Sequence, residues 1–156
     1  MQNDSEAKKF LNTSRGRGTG VNMAGRFEKY TGEADGNYLD ELYSENGDGL
    51  QARTQTFPDT SRTIISTNDS PDVGMEATVN PYRGCEHGCI YCYARPTHEY
   101  LGLSPGLDFE TKIFVKHDAA QLLAAKLSSK AWQPRIVSFS GITDCYQPLE
   151  RIHEIT

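Results

Sequence analysis

The chain contains the run Gly84-Cys85-Glu86-His87-Gly88-Cys89-Ile90-Tyr91-Cys92, in which three cysteines have the spacing C-x3-C-x2-C. Thiolates bind soft metals and iron–sulfur clusters, and a cluster needs several of them from one short loop. Three ligands leave one iron of a four-iron cluster without a protein partner. Catalytic metal sites keep such an open position, whereas structural sites close it. We therefore predict that Cys85, Cys89 and Cys92 hold an enzyme cofactor.

The composition and the N-terminal residues indicate the cellular compartment of the protein. Of the 156 residues, 24% are charged and 37% are hydrophobic, and the formal net charge is −5. No apolar run approaches the roughly 20 residues that span a bilayer. The first six residues lack the basic start and the apolar core of a secretory signal. We expect a cytoplasmic protein without membrane association, in which the four cysteines are metal ligands or thiols rather than disulfides.

The negative net charge argues against broad, nonspecific binding of nucleic acid, which depends on Lys and Arg. It does not exclude a local basic groove. One basic cluster stands out, Arg15-Gly16-Arg17-Gly18, followed by Arg26. Such a stretch can contact RNA or DNA, and it is more often a solvated tail.

The chain divides into two parts. Residues 1–60 are rich in Gly, Asn, Asp, Glu and Ser, and their apolar residues follow neither a strand nor a helix period. We expect a polar, mostly disordered N-terminal segment, with short helices at most around residues 26–30 and 38–43. Residues 61–156 form the second part, in which structured segments are predicted.

In this second part, strand-like and helix-like segments alternate. Strands are predicted at residues 62–66, 77–80, 109–116 and 135–140. Helices are predicted at residues 93–101, at 118–127 and after Pro148. Asp118 and Gln121 form a capping-box-like pair for the second helix. This alternation indicates an α/β fold with βα units around a parallel sheet.

The number of strands is small for a closed fold. A complete (β/α) barrel takes about 250 residues and seldom fewer than about 200, whereas about 80 residues follow Ala77. We therefore expect the N-terminal part of a partial barrel, truncated at its C-terminus. A partial sheet leaves an unpaired edge, so we expect marginal stability in isolation.

The cysteine run resembles the radical S-adenosylmethionine (radical SAM) superfamily, whose members carry C-x3-C-x-aromatic-C on the loop after the first barrel strand. All three cysteines match, and Tyr91 is the aromatic residue. The longer stretches 80–96, 104–118 and 140–151 are similar to radical SAM proteins related to spore photoproduct lyase, often described as DNA-repair-photolyase-like. The resemblance extends from about residue 68 to the end. It is specific for the superfamily and nearly silent on the substrate.

The resemblance implies a TIM-like barrel in which the three cysteines hold a [4Fe–4S] cluster and S-adenosylmethionine chelates the remaining iron. One electron, supplied by an external flavodoxin- or ferredoxin-like donor, then yields a 5′-deoxyadenosyl radical that abstracts hydrogen from the substrate. Kinship with the lyases makes nucleic acid a candidate substrate and DNA repair a candidate role, by analogy at the level of the fold.

The resemblance also carries over to further residues. Tyr91 is expected to pack beside the cluster and the adenine. In the superfamily, a Gly-Gly-Glu-like motif after the second strand binds the amino group of S-adenosylmethionine. This chain has Gly141-Ile142-Thr143-Asp144 instead. Asp144 could accept hydrogen bonds from that ammonium, or it could be an ordinary turn or capping residue.

Cys145 is the candidate catalytic thiol. In spore photoproduct lyases, a cysteine at the end of this strand returns a hydrogen atom to the product radical. Gly141 occupies the corresponding place in this chain, and Cys145 follows a few residues later. Its alternative role is that of a small apolar residue.

A second function class stays open. The chain could be a non-catalytic zinc or iron–sulfur module, with Cys145 or a histidine in the fourth position. Zinc sites usually show paired knuckles of two cysteines, so the clustered triplet favours the enzyme. We interpret His87 and His98 as non-ligands.

Overall fold

The computed structural model describes residues 16–19, 23, 25–27, 53–70, 72 and 74–156. The predicted helix at residues 38–43 lies outside these residues. Of the helix predicted at 26–30, only Arg26 and Phe27 are described, and they form a turn. The N-terminal segment assigned to residues 1–60 is described only at 16–19, 23, 25–27 and 53–60.

Six short strands and four helices make up this part of the chain. The strands are β1 Gln55–Pro58, β2 Ile65–Thr67, β3 Ala77–Val79, β4 Tyr82–Arg83, β5 Lys112–Val115 and β6 Ser138–Phe139. A 3-10 helix covers Arg95–Leu101, and α-helices cover Leu107–Thr111, Ala119–Leu127 and Glu150–His153. No helix in the described ranges is long and apolar enough to cross a membrane.

The strands form two small sheets. In the first, β5 lies between β1, which is parallel to it, and β4, which is antiparallel. In the second, β3 lies between the antiparallel β2 and the parallel β6. The described fold is thus mixed α/β without a closed barrel, and the start of a barrel stays a prediction. Because β3 and β6 are parallel, the loops that follow them leave from the same edge.

The core consists of three clusters of buried side chains. One joins β4 and β5 of the first sheet to the start of the C-terminal helix through Tyr82, Ile113, Val115 and Leu149. A second packs Ala119 of the long helix on Ile64 and Val79. The third contains Cys85, Ala94 and Phe109 and lies beneath the cysteine-containing run.

A buried ion pair holds the ends of the first sheet. Lys116 is almost fully buried, and its ammonium lies 3.4 Å from a carboxylate oxygen of Asp59 and donates to the carbonyl of Ser61 at 2.7 Å. The other carboxylate oxygen of Asp59 accepts from Arg83 at 3.0 Å. These contacts tie the end of β1 to β4 and β5.

The sequence-based elements agree in part. The helix over Ala119–Leu127 is confirmed, but the side chain of Asp118 makes no capping hydrogen bond, so the predicted pair with Gln121 is wrong. The strand predicted at 109–116 begins only at Lys112, because residues 107–111 form a helical turn in which Thr111 bonds the carbonyl of Leu107. The strand predicted at 135–140 is confined to Ser138–Phe139.

Candidate functional site

The three clustered cysteines lie on the loop that follows β4, which we call the cysteine loop (residues 84–92). Two glycines shape it, Gly84 with φ of 86° and Gly88 with φ of 64°. Residues other than glycine rarely adopt such positive φ values. A Cβ on Gly84 would also lie 2.8 Å from the carbonyl oxygen of Phe109. That carbonyl accepts the amide of Cys85 at 3.0 Å. The loop therefore needs glycine where its backbone lies against the core.

The cysteines differ in burial. Cys85 is buried against Ala94 and Phe109, Cys92 packs against the same cluster, and Cys89 is half-buried. All four cysteines of the chain are free thiols. Burial raises the pKa of the Cys85 thiol, amides of His87 and Asp144 oppose the rise, and negative charge on Asp144 and Cys92 adds to it. The Cys85 side chain thus lies against apolar groups and close to Cys92 and Asp144.

The sulfur atoms are not already arranged as a closed ligand set. Among the residues that the structure describes, no three His, Cys, Asp or Glu side chains are gathered so that they could hold a metal ion. The metal-ligand assignment of Cys85, Cys89 and Cys92 therefore stays a prediction.

Arg95 holds the backbone of the cysteine loop from below. Its guanidinium donates to the carbonyl oxygens of Gly88 at 2.7 Å and Cys89 at 2.9 Å. Its third nitrogen donates to the carbonyls of Gly106 at 2.8 Å and Pro105 at 3.2 Å. The side chain is nearly buried and lies over the ring of Phe109. One planar cation therefore fixes the peptide groups between the first and the third cysteine.

A second loop, residues 140–144, meets the cysteine loop from the end of β6; we call it the β6 loop. Its position is set by Asn80, whose side-chain oxygen accepts the amides of Gly141 at 2.7 Å and Ile142 at 3.0 Å. The hydroxyl of Thr143 then donates to the carbonyl of Gly84 at 2.7 Å. Parallel pairing of β3 and β6 thus brings the two predicted motifs into contact.

Further contacts join the two loops and the residues that follow them. Gln147 accepts the amide of Glu86 at 2.9 Å through its side-chain oxygen. Tyr93 donates from its hydroxyl to the carbonyl of Gly141. His87 Nε2 lies 3.2 Å from one carboxylate oxygen of Asp144, while the other accepts the amide of Tyr146 at 2.8 Å. Asp144 therefore has the turn-forming role that the sequence also allowed.

The remaining predicted residues lie at different depths. Tyr91 is 86% exposed, so its ring projects into solvent. Cys145 is buried, and its amide donates to the hydroxyl of Ser140 at 2.8 Å. His98 is fully buried, with Nε2 at 2.9 Å from the carbonyl of Lys112. These observations place Cys145 and the β6 loop together and put Tyr91 on the outer face of the cysteine loop.

An open pocket of about 480 Å³ lies beside this assembly. Its wall includes His87 from the cysteine loop and residues that follow the β6 loop in the sequence, among them Tyr146, Arg151 and Glu154. This volume lies in the range of small-molecule sites. The pocket therefore offers space between His87 of the cysteine loop and the C-terminal helix.

Sequence reasoning missed the side chains that hold the loops. Asn80 and Gln147 bind backbone groups 61 to 63 residues away, and Arg95 binds carbonyls 6 to 11 residues away. A motif search finds ligands but not the groups that bind backbone. Only the position of Arg95 just after the cysteine run, before Pro96, gave a signal, and it does not distinguish a buried arginine from an exposed one.

Comparisons with known proteins give similarity without a described activity. No protein-family model and no solved structure matches the chain. Uncharacterized proteins from Mycobacterium bovis and from two strains of Mycobacterium tuberculosis are each 49% identical to it over 73 residues. The matched part is 47% of this chain and 22% of each relative. The chain thus spans about a fifth of the length of these curated relatives.

Proposed function

We propose that this chain carries the cluster-binding part of a radical SAM enzyme, in which Cys85, Cys89 and Cys92 hold a [4Fe–4S] cluster. The observation that carries the proposal is the meeting of the cysteine loop and the β6 loop at one edge. The hydroxyl of Thr143 on the carbonyl of Gly84, at 2.7 Å, joins them directly. Parallel pairing of β3 with β6 thus brings together two motifs that the same resemblance singles out, although Gly84 and Thr143 are 59 residues apart in the sequence.

The donor set fits an iron–sulfur cluster in its chemistry. Three free thiols on one loop are soft ligands of the kind that such clusters use. Their inner side is apolar, formed by Ala94 and Phe109 with Ile142 packed nearby. Burial raises the pKa of the Cys85 thiol, so loading must displace its proton.

With S-adenosylmethionine, such a cluster supplies one-electron cleavage of the sulfonium to a 5′-deoxyadenosyl radical. The residues of this chain would bind and orient the nucleotide. Gly141 and Thr143 fix the β6 loop, and the carboxylate of Asp144 would exchange its contact with His87 for the ammonium of S-adenosylmethionine. Tyr91 would fold inward from its exposed position to cover the adenine.

The wider activity follows from the same proposal. Cys145, one residue beyond Asp144, is the candidate thiol for returning hydrogen to a product radical. We further propose an external one-electron donor of the flavodoxin or ferredoxin type, a cytoplasmic location, and nucleic acid as the candidate substrate. A lyase acting in DNA repair is the corresponding whole-protein activity.

Anaerobic reconstitution with iron and sulfide tests the proposal. The chain should become brown with broad visible absorption, and S-adenosylmethionine should change the electron paramagnetic resonance (EPR) spectrum of the reduced protein. Asp144→Asn should keep its iron and weaken that spectral change, whereas Asp118→Asn, at an exposed helix start, should behave as wild type. A colourless chain that retains one zinc ion would contradict the enzyme and support the non-catalytic module.

A further inference from the structure

An N-terminal segment lies directly against the cysteine loop. Residues 16–19 form a turn in which the amide of Gly16 donates to the carbonyl of Thr19 at 2.9 Å. The amides of Gly18 and Thr19 donate to the two carboxylate oxygens of Glu110, at 2.9 and 3.0 Å. Glu110 is fully buried in the helix Leu107–Thr111. A buried carboxylate thus receives two backbone amides from a segment more than 90 residues earlier.

The arginine of this segment bonds within the chain as well. Arg17 donates to the carbonyl of Glu110 at 2.9 Å through one terminal nitrogen. Its other terminal nitrogen lies 3.2 Å from the carboxylate of Glu86 and 2.9 Å from the hydroxyl of Thr54. Glu86 belongs to the cysteine loop and is buried. Arg17 therefore bridges that loop, the helix carrying Glu110 and the start of β1.

Glycine is required where the segment meets the loop. A Cβ on Gly18 would lie 1.6 Å from the carbonyl oxygen of Gly88, and a Cβ on Gly88 would lie 2.0 Å from a carboxylate oxygen of Glu110. The backbone of Gly88 cannot shift away freely, because Arg95 donates to the same carbonyl at 2.7 Å. A side chain at position 18 would therefore push the N-terminal segment off the cysteine loop. The close approach excludes any side chain at these positions.

We propose that residues 16–19 are an intramolecular strap and that Glu110 is the positioning residue that holds the strap on the cysteine loop. The strap and Arg95 hold Gly88, between the first two cysteines, from two sides. Docking of the strap orders the loop before its thiols meet a metal. Arg17 and Gly18 of the Arg-Gly run take part in this docking. The ordering is independent of the proposed function, and its purpose in cluster binding rests on that function.

The first test uses the metal-free chain of 156 residues. Gly18→Ala should displace the strap by collision with the Gly88 carbonyl, and Gly74→Ala is its control, since a Cβ there meets nothing within 4 Å. Because the strap contributes hydrogen bonds to a charged group, hydrogen exchange of residues 84–92 should speed up by about tenfold or more. Alkylation of Cys89 should accelerate with it. Exchange in the helix Ala119–Leu127 should stay unchanged, which shows that the chain is folded.

Adding the strap as a separate peptide distinguishes loss of strap docking from general destabilisation of the chain. A peptide Ser14-Arg15-Gly16-Arg17-Gly18-Thr19-Gly20, added to the Gly18→Ala chain, should restore slow exchange in the cysteine loop. The same peptide with alanine in place of Gly18 should not. In the Glu110→Gln chain, neither peptide should restore it, because the receptor carboxylate is gone. Wild-type exchange in Gly18→Ala, or equal effects of the two peptides, would overturn the strap.

Reconstitution then tests its purpose. Gly18→Ala should take up less iron than Gly74→Ala, and its EPR signal should be broader. Faster loop exchange with wild-type iron and an unchanged signal would overturn the role in metal binding. If the wild-type chain takes up no iron, that role fails together with the proposed function, while the exchange and peptide results still decide whether the strap docks.

Discussion

Replacing Arg95 by methionine should release the backbone of the cysteine loop while leaving its hydrophobic packing largely intact. The guanidinium makes hydrogen bonds of 2.7 to 3.2 Å to four carbonyls and lies 3.6 Å from the fully buried Glu110. Hydrogen bonds to charged groups contribute about 1.5–3 kcal/mol each and do not add. Breaking a buried pair by removing one partner costs about 3–5 kcal/mol. We therefore expect a loss of about 3–5 kcal/mol in unfolding free energy.

Urea denaturation measures this loss of unfolding free energy in the whole chain. Hydrogen exchange measures it in residues 84–92. Arg95→Lys keeps the charge but not the planar fork and should fall between methionine and wild type. The matched control is Arg135→Met, because Arg135 is exposed and stacks on Trp132; its cost should stay within about 0.5 kcal/mol. Equal exchange of the cysteine loop in the Arg95→Met and Arg135→Met chains would refute the reasoning.

Three further outcomes are expected. Asn80→Ala removes the acceptor of two β6-loop amides, so their hydrogen exchange should rise and stability should drop by about 1–3 kcal/mol; unchanged exchange would argue against it. Burial lowers the pKa of His98, so unfolding free energy should decrease as pH falls below about 6.5, and His98→Gln should flatten that slope. Burial raises the pKa of Asp59, but hydrogen bonds from Ser61 and the charges of Arg83 and Lys116 lower it overall. The stability that Asp59 contributes should therefore be present above about pH 4 and be lost below it, and acid titration of Asp59→Asn should lack this loss.

Local patterns predicted the elements that depend on local chemistry. The helix Ala119–Leu127 follows from its apolar spacing and was located correctly. The short helix after the cysteine run ends at Gly102, where φ is 71°, as a C-terminal glycine indicates. Contact between the cysteine loop and the β6 loop was not foreseen from local sequence, because it depends on Asn80 and on parallel pairing of β3 with β6.

Structural features that depend on partners elsewhere in the fold could not be predicted from the sequence. β1 has four exposed residues and a proline at its end, so only its pairing with β5 identifies it as a strand. In the sequence, residues 16–19 resemble any polar, glycine-rich segment. Their hydrogen bonds to Glu110 could not be predicted, because no local pattern indicates that partner. Arginine is usually a surface residue, whereas Arg95 is buried. Burial of a charge is a property of the assembled fold and not of a short sequence.

The central claim is that Cys85, Cys89 and Cys92 together hold an iron–sulfur cluster. Its most direct measurement is the iron and sulfide content, with the EPR spectrum, of anaerobically reconstituted chains in which each cysteine is replaced singly by alanine. We expect about four irons in the wild-type chain, a large loss in the variants at positions 85, 89 and 92, and wild-type content in Cys145→Ala. Equal iron in all five chains, or a loss at position 145 as large as at the other three, would contradict the account.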